Sequence, residues 1–236
     1  ILKKQPEDWY TDYKIENWVL NHLDIMDELQ YSLDDIYNYC QKYWQYSRIR
    51  NYYISICISQ KNYNYAIELL NQSLQLDVNK PGFIVEYRTK LKELYKQTNN
   101  DEAYRQQLWQ LVTKDKPGDL DNFNELKSLY SNKEWIDIRE KIFAALGNSD
   151  RIDILYEQEK LYDKLLEYVI EKPGLSYLFK YEKVLKEQYP QELLQKYTTE
   201  LNIEARYTAN RRTYQEWVRI LKRMTKITGG KEAVQS

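Results

Sequence analysis

Side chains able to do catalysis or bind metal are scarce in this chain of 236 residues. His22 is the only histidine, and Cys40 and Cys57 are the only cysteines. A dyad of two histidines is therefore excluded, as are a cysteine-only zinc site and a disulfide framework. His22 sits in the apolar run Trp18-Val19-Leu20-Asn21-His22-Leu23 and reads as a structural or surface residue. Cys40 and Cys57 have aromatic and aliphatic neighbours and no local cluster of cations to stabilise a thiolate, so both read as buried, inert thiols. Among 36 acidic residues, Asp24, Asp27 and Glu28 fall one helical turn apart near Asp34-Asp35. Two carboxyls beside aromatic rings are the equipment of a glycoside-processing cleft, but so many acids bring such neighbours together by chance. Gly229-Gly230-Lys231 is followed by Glu232 and lacks the upstream glycine of a phosphate loop, so it reads as one helix stopping and another starting. No catalytic, cofactor-binding or metal-ligating residue is assigned, and the chain is expected not to be an enzyme.

Charge is more informative. The total of 35 Lys+Arg against 36 Asp+Glu leaves −1, but the balance is uneven along the chain. Residues 1–47 hold 4 basic and 9 acidic side chains, residues 48–204 hold 23 and 25, and residues 205–236 hold 8 and 2. A C-terminal helix over Arg211–Lys226 would carry an apolar stripe of Tyr214, Val218, Leu221 and Met224. Arg212, Arg219, Arg223 and Lys226 would share another face, with Arg211 and Lys222 at its edges. These six cations are the candidate site for an acidic partner or for phosphates. The competing reading is a solvated cap at the end of a helical array.

Positioning elements follow from composition and period. Mean hydropathy is low at −0.81, yet 24 Tyr, 6 Trp and 4 Phe supply the aromatic surface that disordered chains lack. Six Gly and five Pro are too few for the turns of an all-β fold. Lys-Pro-Gly recurs at Lys80-Pro81-Gly82, Lys116-Pro117-Gly118 and Lys172-Pro173-Gly174, the first two 36 residues apart, which is the size of one helical hairpin. Each Pro-Gly should end a helical run. Between the first two, Ile84, Tyr87, Leu91, Leu94 and Tyr95 keep helical spacing, Asn99-Asn100-Asp101 can turn and cap, and Tyr104, Leu108, Leu111 and Val112 follow on a second stripe. The same grammar predicts hairpins at 14–46, 50–76, 120–146, 152–170 and 175–207, and a last helix at 211–226. The run Tyr53-Ile54-Ser55-Ile56-Cys57-Ile58 is the nearest approach to a strand and is read as a buried helix. The fold expected is all-α, a tetratricopeptide-like α-solenoid of about six antiparallel helix pairs plus a C-terminal helix. It is expected to form one domain over 1–236, with an acidic hairpin at 1–47, a repeat body at 48–204 and a basic helix and tail at 205–236.

Two resemblances bear on this. Ala66-Ile67-Glu68-Leu69-Leu70-Asn71-Gln72-Ser73 through Leu76-Asp77-Val78-Asn79 resembles the second helix of a tetratricopeptide repeat, with small Ala66, large Leu70 and small Ser73 at that family's spacing. From about Lys80 onward, Lys-Pro-Gly-Phe-Ile-Val-Glu-Tyr, Asp119 to Trp135, Glu171-Lys-Pro-Gly-Leu, Tyr181-Glu182-Lys183-Val184-Leu185, Ala205-Arg206-Tyr207, Tyr214-Gln215-Glu216-Trp217-Val218 and Gly229-Gly230-Lys231 together look similar to the C-terminal helical region of bacterial SWIM zinc-finger family proteins. That family's zinc module, CxC followed by CxH, has no counterpart here. The resemblance implies that zinc, if the family relation holds, would be held by an upstream module outside this chain.

The functional expectation is a non-catalytic helical-repeat scaffold for a protein or peptide partner, as an arm of a larger SWIM zinc-finger protein. A nucleic-acid accessory module using the basic helix is the alternative, and a helical carbohydrate enzyme is the third reading. The start at Ile1 suggests a fragment of something longer. With no apolar run of about 18 residues to span a bilayer and no signal-peptide core, a cytoplasmic chain without membrane attachment is expected.

Overall fold

The computed structural model describes residues 6–147, 151–206 and 210–235. Every regular element among them is helical, as the scarcity of breakers implies. The residues fall into two compact units, 1–147 and 148–236, a division that lies inside the stretch 48–204. The first unit holds α1 (Pro6–Glu28), α2 (Leu33–Gln41), α3 (Ser47–Ser59), α4 (Tyr63–Leu76), α5 (Pro81–Gln97), α6 (Asp101–Gln110) with a π-helical continuation over Leu111–Asp115, α7 (Leu120–Lys127) and α8 (Asn132–Leu146). The second holds α9 (Ile152–Gln158), α10 (Tyr162–Glu171), α11 (Ser176–Leu185), α12 (Pro190–Ala205), α13 (Arg211–Met224) and α14 (Gly230–Gln235). Tyr207, the sequence-based end of α12, lies outside the described residues.

Side-chain caps start several of these helices, the one at Asn100 as its sequence suggests. Ser32, Asn100, Asp119 and Ser131 each accept a hydrogen bond from the backbone N–H three residues on, at 3.2, 3.2, 3.0 and 3.3 Å, and Glu134 answers Ser131 to complete a capping box. The three Lys-Pro-Gly segments prove unequal. Pro81 opens α5 as its first residue, where its fixed φ suits a helix start. Gly118 and Gly174 instead lie in connections at φ 77° and 73°, values that glycine adopts without strain.

A turn that the sequence conceals recurs more regularly than Lys-Pro-Gly. Gln30, Lys61, Asn99 and Lys160 all have φ between 54° and 60°. The next residue's N–H reaches back five positions in each case, Tyr31 to Met26, Asn62 to Cys57, Asn100 to Tyr95 and Leu161 to Tyr156, all at 2.9 Å. This Schellman closure joins α1 to α2, α3 to α4, α5 to α6 and α9 to α10. Glycine, the usual signal for it, is absent from all four places. Left-handed backbone costs an ordinary residue about 1 kcal/mol, and these side chains are exposed. Gln30→Gly, Lys61→Gly and Lys160→Gly are each expected to raise stability by about 0.5–1 kcal/mol. The readout is the urea midpoint, and the matching alanine variants should show no gain.

Within the first unit, α3 packs on α4, α4 on α5 and α5 on α6, while α1 reaches α3. Its core is built from Val19 and Leu23 of α1, Ile36 and Cys40 of α2, Ile49 and Ile54 of α3, Leu70 of α4, and Tyr87 and Leu91 of α5. Ala66, Leu70 and Ser73 are all fully buried, so their spacing on α4 has the close-packing cause that small residues imply. In the second unit, α11 packs on α10 and α12, and α12 on α13. Leu165, Val169, Leu178, Tyr181, Leu193, Tyr197 and Met224 form its core.

Buried and half-buried carboxylates fasten these helices in a repeated way, each taking a tyrosine hydroxyl and a cation. Asp77, just after α4, accepts from Tyr87 Oη at 2.7 Å, from Ser47 Oγ at 2.8 Å and from the Arg50 guanidinium, with Lys80 Nζ at 3.0 Å. Glu125 of α7 accepts from Tyr104 at 2.5 Å and Lys92 at 2.6 Å. Asp153 of α9 accepts from Tyr181 at 2.6 Å and Lys180 at 2.7 Å. Glu182 of α11 takes Tyr197 and Arg223. Part of the tyrosine content is thus spent on donors that satisfy acids inside the protein.

Candidate functional site

A groove of about 700 Å³ opens in the first unit between α4, α5 and α6. Asn71, Leu74 and Gln75 of α4 form one wall, and Gln106, Gln107 and Gln110 of α6 form the other. The first turns of α5 contribute Pro81, Ile84 and Arg88 to the floor, and exposed Val78 stands at the rim. The helical period explains the placement. On α6 and its π-helical continuation, Tyr104, Leu108, Leu111 and Val112 point to the core, which turns Gln106 and Gln110 toward the groove.

The π-helical turn closes one end. Lys116 N–H bonds Leu111 C=O at 2.7 Å, five residues back, and the widened turn carries Asp115 to an ion pair with Arg88. Arg88 also donates to Gln107 Oε1 at 3.1 Å, and Asn71 spends its Nδ2 on Ile67 C=O at 2.9 Å and on Tyr95 Oη at 3.4 Å. The amides of Gln75, Gln106 and Gln110 bond no other described side chain or backbone group. Each offers donors and an acceptor together, which suits the alternating N–H and C=O of an extended main chain. Composition and motifs do not single these residues out. Their one sequence signal is the run of amides at Gln106, Gln107 and Gln110 opposite an apolar stripe.

The six cations proposed from sequence all lie on or next to α13, but the structure separates them. Asn210 caps the helix by accepting from Thr213 N–H at 3.0 Å. Arg223 is bound inward, with Nε 2.7 Å from Glu182 Oε2, Nη2 donating to Phe179 C=O at 3.2 Å, and its guanidinium 4.7 Å from the Phe179 ring centre. It serves as a staple between α13 and α11. Arg212 pairs with Glu216 at 3.4 Å on the surface. Arg211, Arg219, Lys222 and Lys226 are exposed and have no ion pair among the described residues.

The apolar stripe also needs correction. Tyr214 and Val218 face solvent, 53% and 48% exposed. The face that packs is Trp217, Ile220, Leu221 and Met224, with Trp217 Nε1 donating to Glu204 at 3.0 Å. Both sets keep helical spacing, and burial of Met224 with Ile220 and Leu221 packed beside it sets the rotation of the helix.

The remaining candidates are placed as follows. His22 lies between Trp18 and Tyr39, with ring centres 5.7 and 4.7 Å away. Cys40 and Cys57 are buried and unbridged. Burial pushes the Cys40 thiol up to about 12 and raises that of Cys57, which keeps both protonated. Asp24, Asp27, Glu28, Asp34 and Asp35 are all exposed, and Asp35 accepts from the capping Ser32 hydroxyl at 2.6 Å. Gly229-Gly230-Lys231 makes the turn into α14. Among the described residues no group of three or more His, Cys, Asp or Glu side chains could hold a metal ion, and no helix is long and apolar enough to cross a membrane. Compared with known proteins, the chain matches no family model, no curated protein and no solved structure.

Proposed function

We propose that the chain is a non-catalytic helical-repeat scaffold whose first unit holds an extended peptide of a partner protein in the groove between α4, α5 and α6. The observation that carries this reading is the wall chemistry. Gln75, Gln106 and Gln110 present uncommitted amides beside the apolar Leu74, Val78 and Ile84. Amides meet a peptide's main chain and the aliphatic groups meet alternate side chains. The recurrent Schellman closures and the buried Ala66, Leu70 and Ser73 support a tetratricopeptide-like solenoid as the framework. The matches from Lys80 onward support the further element of the proposal, that this scaffold is an arm of a SWIM zinc-finger protein, with zinc in another part of it.

Selection from a displayed library of unstructured peptides tests the groove. Enriched peptides are expected to lose affinity at least tenfold against Val78→Glu and against Gln106→Ala with Gln110→Ala, since each removes apolar contact or main-chain partners. Arg211→Ala with Lys222→Ala should leave them unchanged. A library that enriches nothing, or peptides indifferent to the groove substitutions, would overturn the proposal.

A further inference from the structure

Seating α13 against its own unit sorts its charges. With Arg223 committed to Glu182 and Arg212 to Glu216, the exposed row is Arg211, Arg219, Lys222 and Lys226. At about 1.5 Å of rise per residue Arg211 to Lys222 span about 16 Å of α13, with Lys226 just past its end, roughly five nucleotides of a stacked strand at about 3.4 Å each. Exposed Tyr214 and Val218 stand beside Arg211, Arg219 and Lys222 on one open face of the helix.

An exposed ring set among cations matches the way single-stranded nucleic acid is held, with phosphates against cations and a base against the aromatic face. A duplex keeps its bases paired and stacked and would leave Tyr214 unengaged. An anionic membrane needs a broad free apolar face to insert, whereas Met224 lies in the core of its unit with Ile220 and Leu221 packed against it, which leaves only Tyr214 and Val218 exposed among the large apolar residues of α13. We infer that the exposed face of α13 binds single-stranded nucleic acid, with Arg211, Arg219, Lys222 and Lys226 on phosphates and Tyr214 stacked on a base. This surface lies on a different unit from the peptide groove and does not depend on it.

Fluorescence anisotropy of the full chain with a labelled oligothymidylate of about twelve nucleotides tests the inference. Four phosphate contacts predict a slope of about −3 for log affinity against log salt. Combined Arg211→Ala, Arg219→Ala, Lys222→Ala and Lys226→Ala should weaken binding at least a hundredfold. Tyr214→Ala should weaken it roughly tenfold with the slope unchanged, and Tyr214→Phe should retain it. The five substituted side chains are all exposed, so thermal melts of the variants should match the parent. Absence of binding at low salt would overturn the inference, as would binding that survives the fourfold variant. Equal affinity for a duplex or for polyglutamate, with Tyr214→Ala silent, would reduce the face to a general polyanion surface and also overturn it. Capture by phosphatidylserine vesicles in place of the oligonucleotide would do the same.

Discussion

Asp77→Ala is expected to destabilise the first unit by about 3–5 kcal/mol, the range for removing one member of a buried ion pair. That is a large part of the roughly 5–15 kcal/mol by which a domain is stable. Arg50 is 1% exposed and Asp77 2% exposed, so loss of the carboxylate strands a guanidinium in the core together with the hydroxyls of Ser47 and Tyr87. Arg50 Nε already lacks a hydrogen-bond partner, which leaves the group little slack. Only Lys80, itself exposed, can turn to water. Arg50→Met with Asp77→Leu should recover much of the loss, because it removes both charges at once. Urea denaturation followed by circular dichroism reads both variants. An Asp77→Ala protein as stable as the parent would show that the pair contributes nothing.

The same carboxylate sets an acid limit on stability. Burial raises its pKa, but the hydrogen bonds from Arg50, Tyr87, Ser47 and Lys80 outweigh burial and hold it below the usual 3.8. Glu125, against Lys92 and Tyr104, is likewise held below 4.5 against the pull of burial. A folded pKa below the unfolded one contributes stability above the unfolded value and loses it as pH falls through the folded value. The urea midpoint should therefore hold near neutrality and drop below about pH 4.5, less steeply in Asp77→Asn. Glu16 works in the opposite sense. Burial raises its pKa despite Arg48, so its contribution is present at low pH and is lost as pH rises past its folded value.

Gly230→Ala is expected to cost the second unit about 2 kcal/mol or more. A Cβ there would lie 1.9 Å from the carbonyl oxygen of Met224 and 2.7 Å from its carbonyl carbon. Both are backbone atoms and cannot rotate aside. Relief requires the turn after α13 to open, which would unseat the buried Met224 and Ile227 and loosen the end of the helix that carries Lys222 and Lys226. Hydrogen exchange resolved by peptide should rise across 211–227 while the first unit keeps its protection. Gly82→Ala is the contrast. It sits at the start of α5 with nothing within 4 Å of the added carbon and an ordinary φ, so it should be neutral or stabilising by up to about 1 kcal/mol. Equal stability of the two variants would refute the steric argument.

Sequence alone determined that this is a helical protein and located nearly every helix, because apolar spacing, capping residues and prolines act over one or two turns of chain. The cap at Asn100 and the buried stripe Tyr104, Leu108, Leu111 and Val112 depend on such local signals, whereas 53–58, the nearest approach to a strand, reads as helix only from its helical neighbours. The cationic segment after residue 204 was equally legible, since charge needs no fold to be counted. Tertiary structure decided which cations are free. Arg223 and Arg219 differ only in what α11 brings near them. It decided the rotation of α13 as well, where two stripes of similar period competed and the packing of Ile220, Leu221 and Met224 against the second core prevailed. The repeated left-handed turns are hidden in the sequence because Gln30, Lys61 and Lys160 occupy a conformation their residue types disfavour, held there by the hydrogen bonds of the helices they join. The groove amides and the Arg50–Asp77 pair are hidden for a related reason. Their roles arise from residues far apart in the chain, and only packing brings those together.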